Sequence, residues 1–168
     1  MKHKYLWKSL EKGCVSKHNN FKWKLNKWYK IDGDLEICIN GFHASENIID
    51  AMSYVNCETL AKVEVRGAKI IGLDKQCWSE MRVVKKWIWK KEDSVLLAIY
   101  SANLVLKNFE KKYPKDKSPR QAIQAAKNYL KCKNRRSAAH SAAHSAAHSA
   151  AKLNIKQKTN NWIKKYIL

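Results

Sequence analysis

Five glycines and two prolines in 168 residues form no glycine-rich phosphate loop. His-Glu-x-x-His, Cys-x-x-Cys and Gly-x-Ser-x-Gly are also missing, so zinc proteases, dithiol redox proteins and α/β-hydrolases lose their sequence signature. The five cysteines, Cys14, Cys38, Cys57, Cys77 and Cys132, are odd in number, and no two lie closer than nineteen residues. They read as buried or incidental thiols in a reducing compartment. No apolar run reaches the ~18 residues that a membrane span needs, and Met1 to Lys8 carries charge with no apolar stretch behind it. These absences predict a soluble, cytoplasmic protein without membrane contact.

Acidic residues are scarce, fourteen against thirty-four Lys and Arg, for a net charge of +20. The excess is uneven: residues 1–30 carry +8, residues 31–80 carry −5, and residues 81–168 carry +17. Two cationic arms around a slightly acidic middle point to a polyanionic partner. An apolar content of 45% with seven Trp and seven Tyr supplies enough burial to offset ordering entropy and argues against wholesale disorder.

Hydrophobic periodicity places the elements. Phe21, Trp23 and Leu25 alternate with lysines as one face of a strand, and Trp28–Ile31 and Leu35–Ile39 read as two more around the turn Asp32-Gly33-Asp34. Ile48, Ile49, Met52 and Val55 recur at helical steps, predicting a short helix over about 46–55 with Ser45 as N-cap. Leu60–Val65 alternates until Gly67 breaks it, and Ile70-Ile71 and Met81–Trp89 complete a mainly antiparallel set. From Glu92 the pattern is helical: Val95, Leu96, Ile99, Ala102, Leu106 and Phe109 form a stripe that Pro114 stops, and Ser118-Pro119-Arg120-Gln121 starts a second helix. The run from Ser137 to Ala151 repeats Ser-Ala-Ala-His, which as a helix aligns His140, His144 and His148 on one face. Imidazoles at i, i+4 could hold a metal pairwise, but without a third protein ligand such a site is open and weak, and a solvated helix face is the expected reading. The expected fold class is α+β: residues 1–91 as a small antiparallel sheet with one short helix, and residues 92–168 as a helical region.

The turn Cys38-Ile39-Asn40-Gly41-Phe42-His43-Ala44, with aromatic strands before it and Val63-Glu64-Val65-Arg66-Gly67 after it, resembles an uncharacterised bacteriophage domain over about residues 18–90. The stretch from Ser118 through the Ser-Ala-Ala-His repeat resembles the C-terminal part of immunity proteins. Gly41-Phe42-His43 with the helix behind it is also similar to a segment of ADP-ribosyltransferases that borders the nicotinamide pocket. That last resemblance implies NAD as substrate, with His43 and Tyr54 at the pocket and Glu64 or Glu80 as the acid facing an oxocarbenium-like state. The remaining strand-borne residues of that family are not found, and a structural turn with His43 bonded to backbone is the alternative. Cys77 has Lys75 close in sequence, a neighbour that could lower its pKa, set against a buried inert thiol.

Basic and aromatic residues interleave at Lys22, Lys24, Lys27 and Lys30, and again at Arg82, Lys85, Lys86, Lys90 and Lys91. With Arg135 and Arg136 they could grip phosphates while rings stack on bases, or the rings could face the core and the lysines water. The reading that joins these features is a phage-type, non-enzymatic basic protein acting on nucleic acid, RNA or DNA, or on a host nucleoprotein, extended to an anti-defence, anti-CRISPR-like inhibitor that needs no cofactor. Two alternatives stay open: an NAD-using ADP-ribosyltransferase-like enzyme, and an immunity or scaffold protein that binds a protein partner through its helical half.

Overall fold

The computed structural model describes residues 4–131 and 153–168. Arg135, Arg136 and the repeat histidines His140, His144 and His148 lie outside the described residues, as does the repeat helix they would form. The chain divides into two compact units, Met1–Trp89 and Lys90–Leu168. The first is an antiparallel sheet with a short helix and the second is helical, so the protein is α+β.

In the first unit, β1 (Lys4–Leu10), β4 (Thr59–Ile71), β5 (Gln76–Ile88) and β2 (Tyr29–Lys30) are neighbours in that order, and β3 (Phe42–Ala44) also pairs with β5. β2 and β3 occupy successive stretches of the same β5 edge, Tyr29 opposite Met81 and Phe42 opposite Trp78. Just past β3, Ser45 exchanges two backbone hydrogen bonds with Trp7 of β1, each 2.8 Å long. The pairings β1–β4–β5–β3 thus return to β1, and the sheet closes on itself as a small barrel. Its interior holds Leu6 and Leu10 of β1, Phe42 and Ala44 of β3, Val63 and Val65 of β4, Met81 and Val83 of β5, and Trp23 from the connecting loop. Two register shifts in β4, at Lys62/Val63 and Arg66/Lys69, supply the bends that so short a circuit requires.

Several elements differ from the sequence expectation. The alternating segment at Phe21–Leu25 is a loop held by single bridges, Lys22 to Val15 and Leu25 to Val83. Its alternation is genuine at the first two positions, since Trp23 is buried and Phe21 packs against the core, but Leu25 is exposed. Asn20 and Asn26, at its two ends, have positive φ (51° and 61°), which turns the chain away from a continuous ladder. Leu35–Ile39 is a tight turn closed by Glu36 and Asn40 rather than a strand. α1 covers only Ile48–Met52 with Asn47 at its N-cap, because the Ser45 backbone is committed to Trp7. Gly67, at φ +83°, does not end β4, which continues through the bulge to Ile71. β1 has no counterpart in the sequence reading, since its burial does not follow simple alternation.

The second unit contains α2 (Lys91–Lys112), α3 (Ser118–Lys131) and α4 (Leu153–Tyr166). Asp93 accepts from the Lys90 N–H at 2.8 Å and caps α2. Asp116, rather than Ser118, receives the first free N–H of α3, at 2.8 Å. The buried face of α2 is Val95, Leu97, Ala98, Ser101 and Leu106, and Leu96 of the expected stripe points to solvent. α3 contributes Ile123 and Ala126, and α4 brings Ile163 and a stack of Trp162 on Tyr100 with ring centres 4.8 Å apart.

The first half of β4, Thr59–Val65, is buried on both faces, and this puts Glu64 out of reach of water, where Arg82 on β5 meets it through two nitrogens at 2.7 and 2.6 Å. Arg66 and Glu80 form a second pair nearby at 2.7 Å, with the Arg66 side chain 53% exposed. Removing one partner of a buried pair strands the other charge, so Glu64→Ala should lower unfolding free energy by about 3 kcal/mol. Arg66→Ala should cost about 1 kcal/mol or less. Urea unfolding of the two variants checks the contrast, and equal losses would show that Glu64 and Arg82 are not a buried pair.

Candidate functional site

The site is built where the barrel closes. Glu36 and Asn40 bond each other's backbone at 2.8 and 2.9 Å, and the Asn40 side chain donates to the carbonyls of Asp32 and Asp34 at 3.1 and 2.8 Å. This turn leaves Cys38 at φ +70° and Gly41 at φ +141°. A side chain on Gly41 would be driven into Cys77 Sγ, so glycine is what lets the turn lie flat on β5. Phe42 and Ala44 then face the interior, and His43 between them points the other way.

The His43 ring is held by its surroundings. Its Nε2 accepts the Cys38 N–H at 3.0 Å, and its carbonyl accepts from Lys8 Nζ at 2.8 Å. Burial, then the charges of Lys8 and Lys75, lower its pKa to about 4, while a hydrogen bond to the Gly41 backbone works in the opposite direction. His43 is therefore neutral at physiological pH. Lys8 shares the interior-facing side of β1 with Leu6 and Leu10 by strand alternation. Its ammonium sits 5.6 Å from the Trp23 ring centre, and desolvation lowers its pKa to about 8.

Around these groups lies an open groove of about 610 Å³. Phe21, Trp23 and Phe42 give it an aromatic wall, packed edge to face with Trp23 5.0 Å from each of the other two. Lys75 reaches over the opposite side, 3.0 Å from Cys38 Sγ and 4.3 Å from the Tyr54 ring centre. Partial burial, then a hydrogen bond to Asp74, push the Tyr54 phenol up to about 12. Lys75 is thus engaged with Cys38, not with its sequence neighbour Cys77, whose thiol pKa is raised because burial outweighs the nearby cations.

His43 and Tyr54 line one groove, but Glu64 does not; it is locked to Arg82 in the sheet. No Asp or Glu is among the groove-lining residues, so the acid that an oxocarbenium-forming reaction needs is not brought to His43. Lys24, Lys27 and Lys30 are exposed on the segment that runs along β5, with Lys22 exposed just before it and Lys85 and Lys86 exposed on β5 itself. Arg82 differs from them in being paired with Glu64. Of the rings interleaved with these lysines, Trp23 is in the core, and Trp28, half-buried, lies under Arg66 and Arg82 at 4.0 and 5.0 Å. Lys90 and Lys91 are exposed at the start of α2, in the other unit. Sequence reasoning missed Lys8 altogether; its signal was a lysine between Leu6 and Leu10, two steps from each in a strand. Among the described residues no group of three His, Cys, Asp or Glu is placed to hold a metal, and no helix is long and apolar enough to cross a membrane.

His43 carries a pH signature. The unfolded chain titrates it near 6.5 and the folded protein near 4, so only the unfolded state takes up this proton as pH falls below 6.5. The stabilisation is complete above that value, is lost between pH 6.5 and 4 by up to about 3 kcal/mol, and changes no further below 4. His43→Gln, with no proton to gain, should flatten that part of the profile. Urea midpoints from pH 4 to 7.5 would expose an error if both proteins showed the same slope.

Comparison with known proteins divides the chain at the same region as the two units. Residues 5–93 match the family described as Domain of unknown function (DUF7666), and residues 89–164 match the family described as Imm-5 like putative immunity protein. No curated protein and no solved structure matches the chain.

Proposed function

Since the chain belongs to the DUF7666 family through its first half and its second half is immunity-protein-like, we propose that it is an immunity-type protein that binds and restrains an acidic protein partner through its helices. The match over residues 89–164, reaching from α2 through α3 into α4, carries this reading. Charge supports it: residues 90–168 hold eighteen Lys and Arg against four Asp and Glu, a net +14 of the +20. Lys107, Lys111 and Lys112 on α2 and Lys127 and Lys131 on α3 are exposed. Such a surface steers encounter with an acidic protein and discriminates against basic ones.

Nucleic acid or a host nucleoprotein would answer to the same charge, but of the rings expected to stack on bases Trp23 is in the core of the first unit, Tyr29 packs against it, and Trp28 is covered by Arg66 and Arg82. An NAD-dependent transferase would need an acid in the groove, and the groove-lining residues offer none.

The experiment is affinity purification of the full chain from its native host after exhaustive nuclease digestion, followed by reconstitution with the captured protein. A stoichiometric acidic partner whose toxicity or activity is blocked in the complex is the expected result. Lys107→Glu/Lys111→Glu/Lys127→Glu should weaken the complex by about a hundredfold, as reversal of several contact charges does. Recovery of nucleic acid alone, lost steeply with salt, would replace this reading with the nucleic-acid one.

A further inference from the structure

The groove of the first unit has a wall composition at odds with the chain around it. Residues 31–80 hold nine acidic and four basic residues, yet the groove they help to form is lined by Lys8, Lys17, Lys75, His18 and His43 and by no carboxylate. The nearby acids are already engaged. Glu46 accepts from Lys4 and Gln76 at 3.0 and 2.8 Å, Asp50 accepts from Asn47 at 3.3 Å, and Asp74 lies close enough to the Tyr54 hydroxyl to raise its pKa. Lys8 and Lys75 themselves meet neutral acceptors, the His43 carbonyl and the Cys38 thiol, and neither has a carboxylate partner among the described residues.

A cation drawn into apolar surroundings without a counter-charge is unfavourable, and the depressed pKa of Lys8 registers that cost. Lys8 holds the His43 carbonyl and Lys75 the Cys38 thiol, and Cys38 and His43 are themselves bonded at 3.0 Å, so the two lysines reach the same turn from β1 and from the β4–β5 connection. The aromatic lining of the same groove is Phe21, half-buried, with Trp23 and Phe42 buried behind it. A volume of about 610 Å³ lies within the range of small-molecule sites.

We propose that this groove binds a small anion that carries a planar ring, an aromatic or heteroaromatic phosphate or carboxylate, with the anion between Lys8 and Lys75 and the ring against Phe21, the accessible member of the aromatic wall. The site belongs to the first unit alone, and it stands or falls independently of any partner of the helices. Neutral His43 contributes shape and no charge, and its bond to Cys38 keeps the turn in place beside the anion.

The test is calorimetric titration of the full chain with adenosine monophosphate, phenyl phosphate and benzoate. Inorganic phosphate serves as the ringless control and adenosine as the uncharged one. At least one ring-bearing anion should bind about tenfold or more tighter than both controls, and the one that does so identifies the anion as nucleotide, simple phosphate or carboxylate. Lys75→Met should weaken that binding by about tenfold, the loss of one charge-assisted contact, and Lys75→Arg should restore most of it. Lys8→Met should do the same or more; if it fails to fold, the rim variant Lys75→Met decides alone. Ring-bearing anions that bind no tighter than the controls, or a folded Lys75→Met protein with unchanged affinity, would overturn the proposal.

Discussion

The two backbone hydrogen bonds between Trp7 and Ser45 hold the first unit in its shape. A sheet with β1 at one edge and β3 at the other would be open and would expose unpaired edge groups. Joined at this seam, β3 is fixed between β5 and β1, and a three-residue strand gains a position that its own length could not secure. The turn before β3 inherits that position, so Cys38, Gly41 and His43 are set by the barrel and not by loop preferences. Lys8, one residue past Trp7, is trapped by the same closure: it lies on the interior side of β1 with its ammonium turned to the His43 carbonyl.

What could be read from the sequence follows from which constraints are local. The stripe of α2 was legible, Leu96 apart, because helical burial repeats within a few residues, α3 was legible from its start at Ser118-Pro119, and the antiparallel strands β4 and β5 were legible because Leu60–Val65 and Met81–Trp89 carry their own apolar pattern. Phe21-Lys22-Trp23 gave a correct burial pattern with the wrong backbone, since a buried aromatic pair needs a core but no ladder. Ser45 shows the opposite failure: its side chain suits an N-cap, but a distant strand claims its backbone. Of the site, His43 and Tyr54 were visible from the turn and its following helix. Lys75 was visible only as a neighbour of Cys77, and its approach to the turn that Lys8 holds was not, because that depends on a closure between residues nearly forty positions apart. Glu64 looked available for chemistry until the cross-strand partner Arg82 was in place.

The two halves divide their labour by surface. The first unit buries Trp23 and Phe42 in its core and pairs Glu64 with Arg82, while it presents exposed lysines and a groove with cations at its edge. The helical half holds most of the net charge, with exposed lysines on α2, α3 and α4 and with Arg120 and Glu110 joined by two bonds of 2.8 Å as an exception. A cationic surface of this kind is suited to rapid association with an acidic partner, and its strength under cellular salt depends on how many contacts become desolvated. Nothing in that arrangement requires the barrel to take part.

The contact of Gly41 with Cys77 couples two positions thirty-six residues apart in the chain. Bulk at 77 is tolerable only while 41 has no side chain, and a side chain at 41 would need both a smaller residue at 77 and a different turn. As the sequence drifts, the two positions cannot change independently: 77 can lose volume freely, whereas 41 is bound to glycine until the turn itself is rebuilt. The same turn carries His43, so the history of the groove is tied to a residue that contributes no side chain to it.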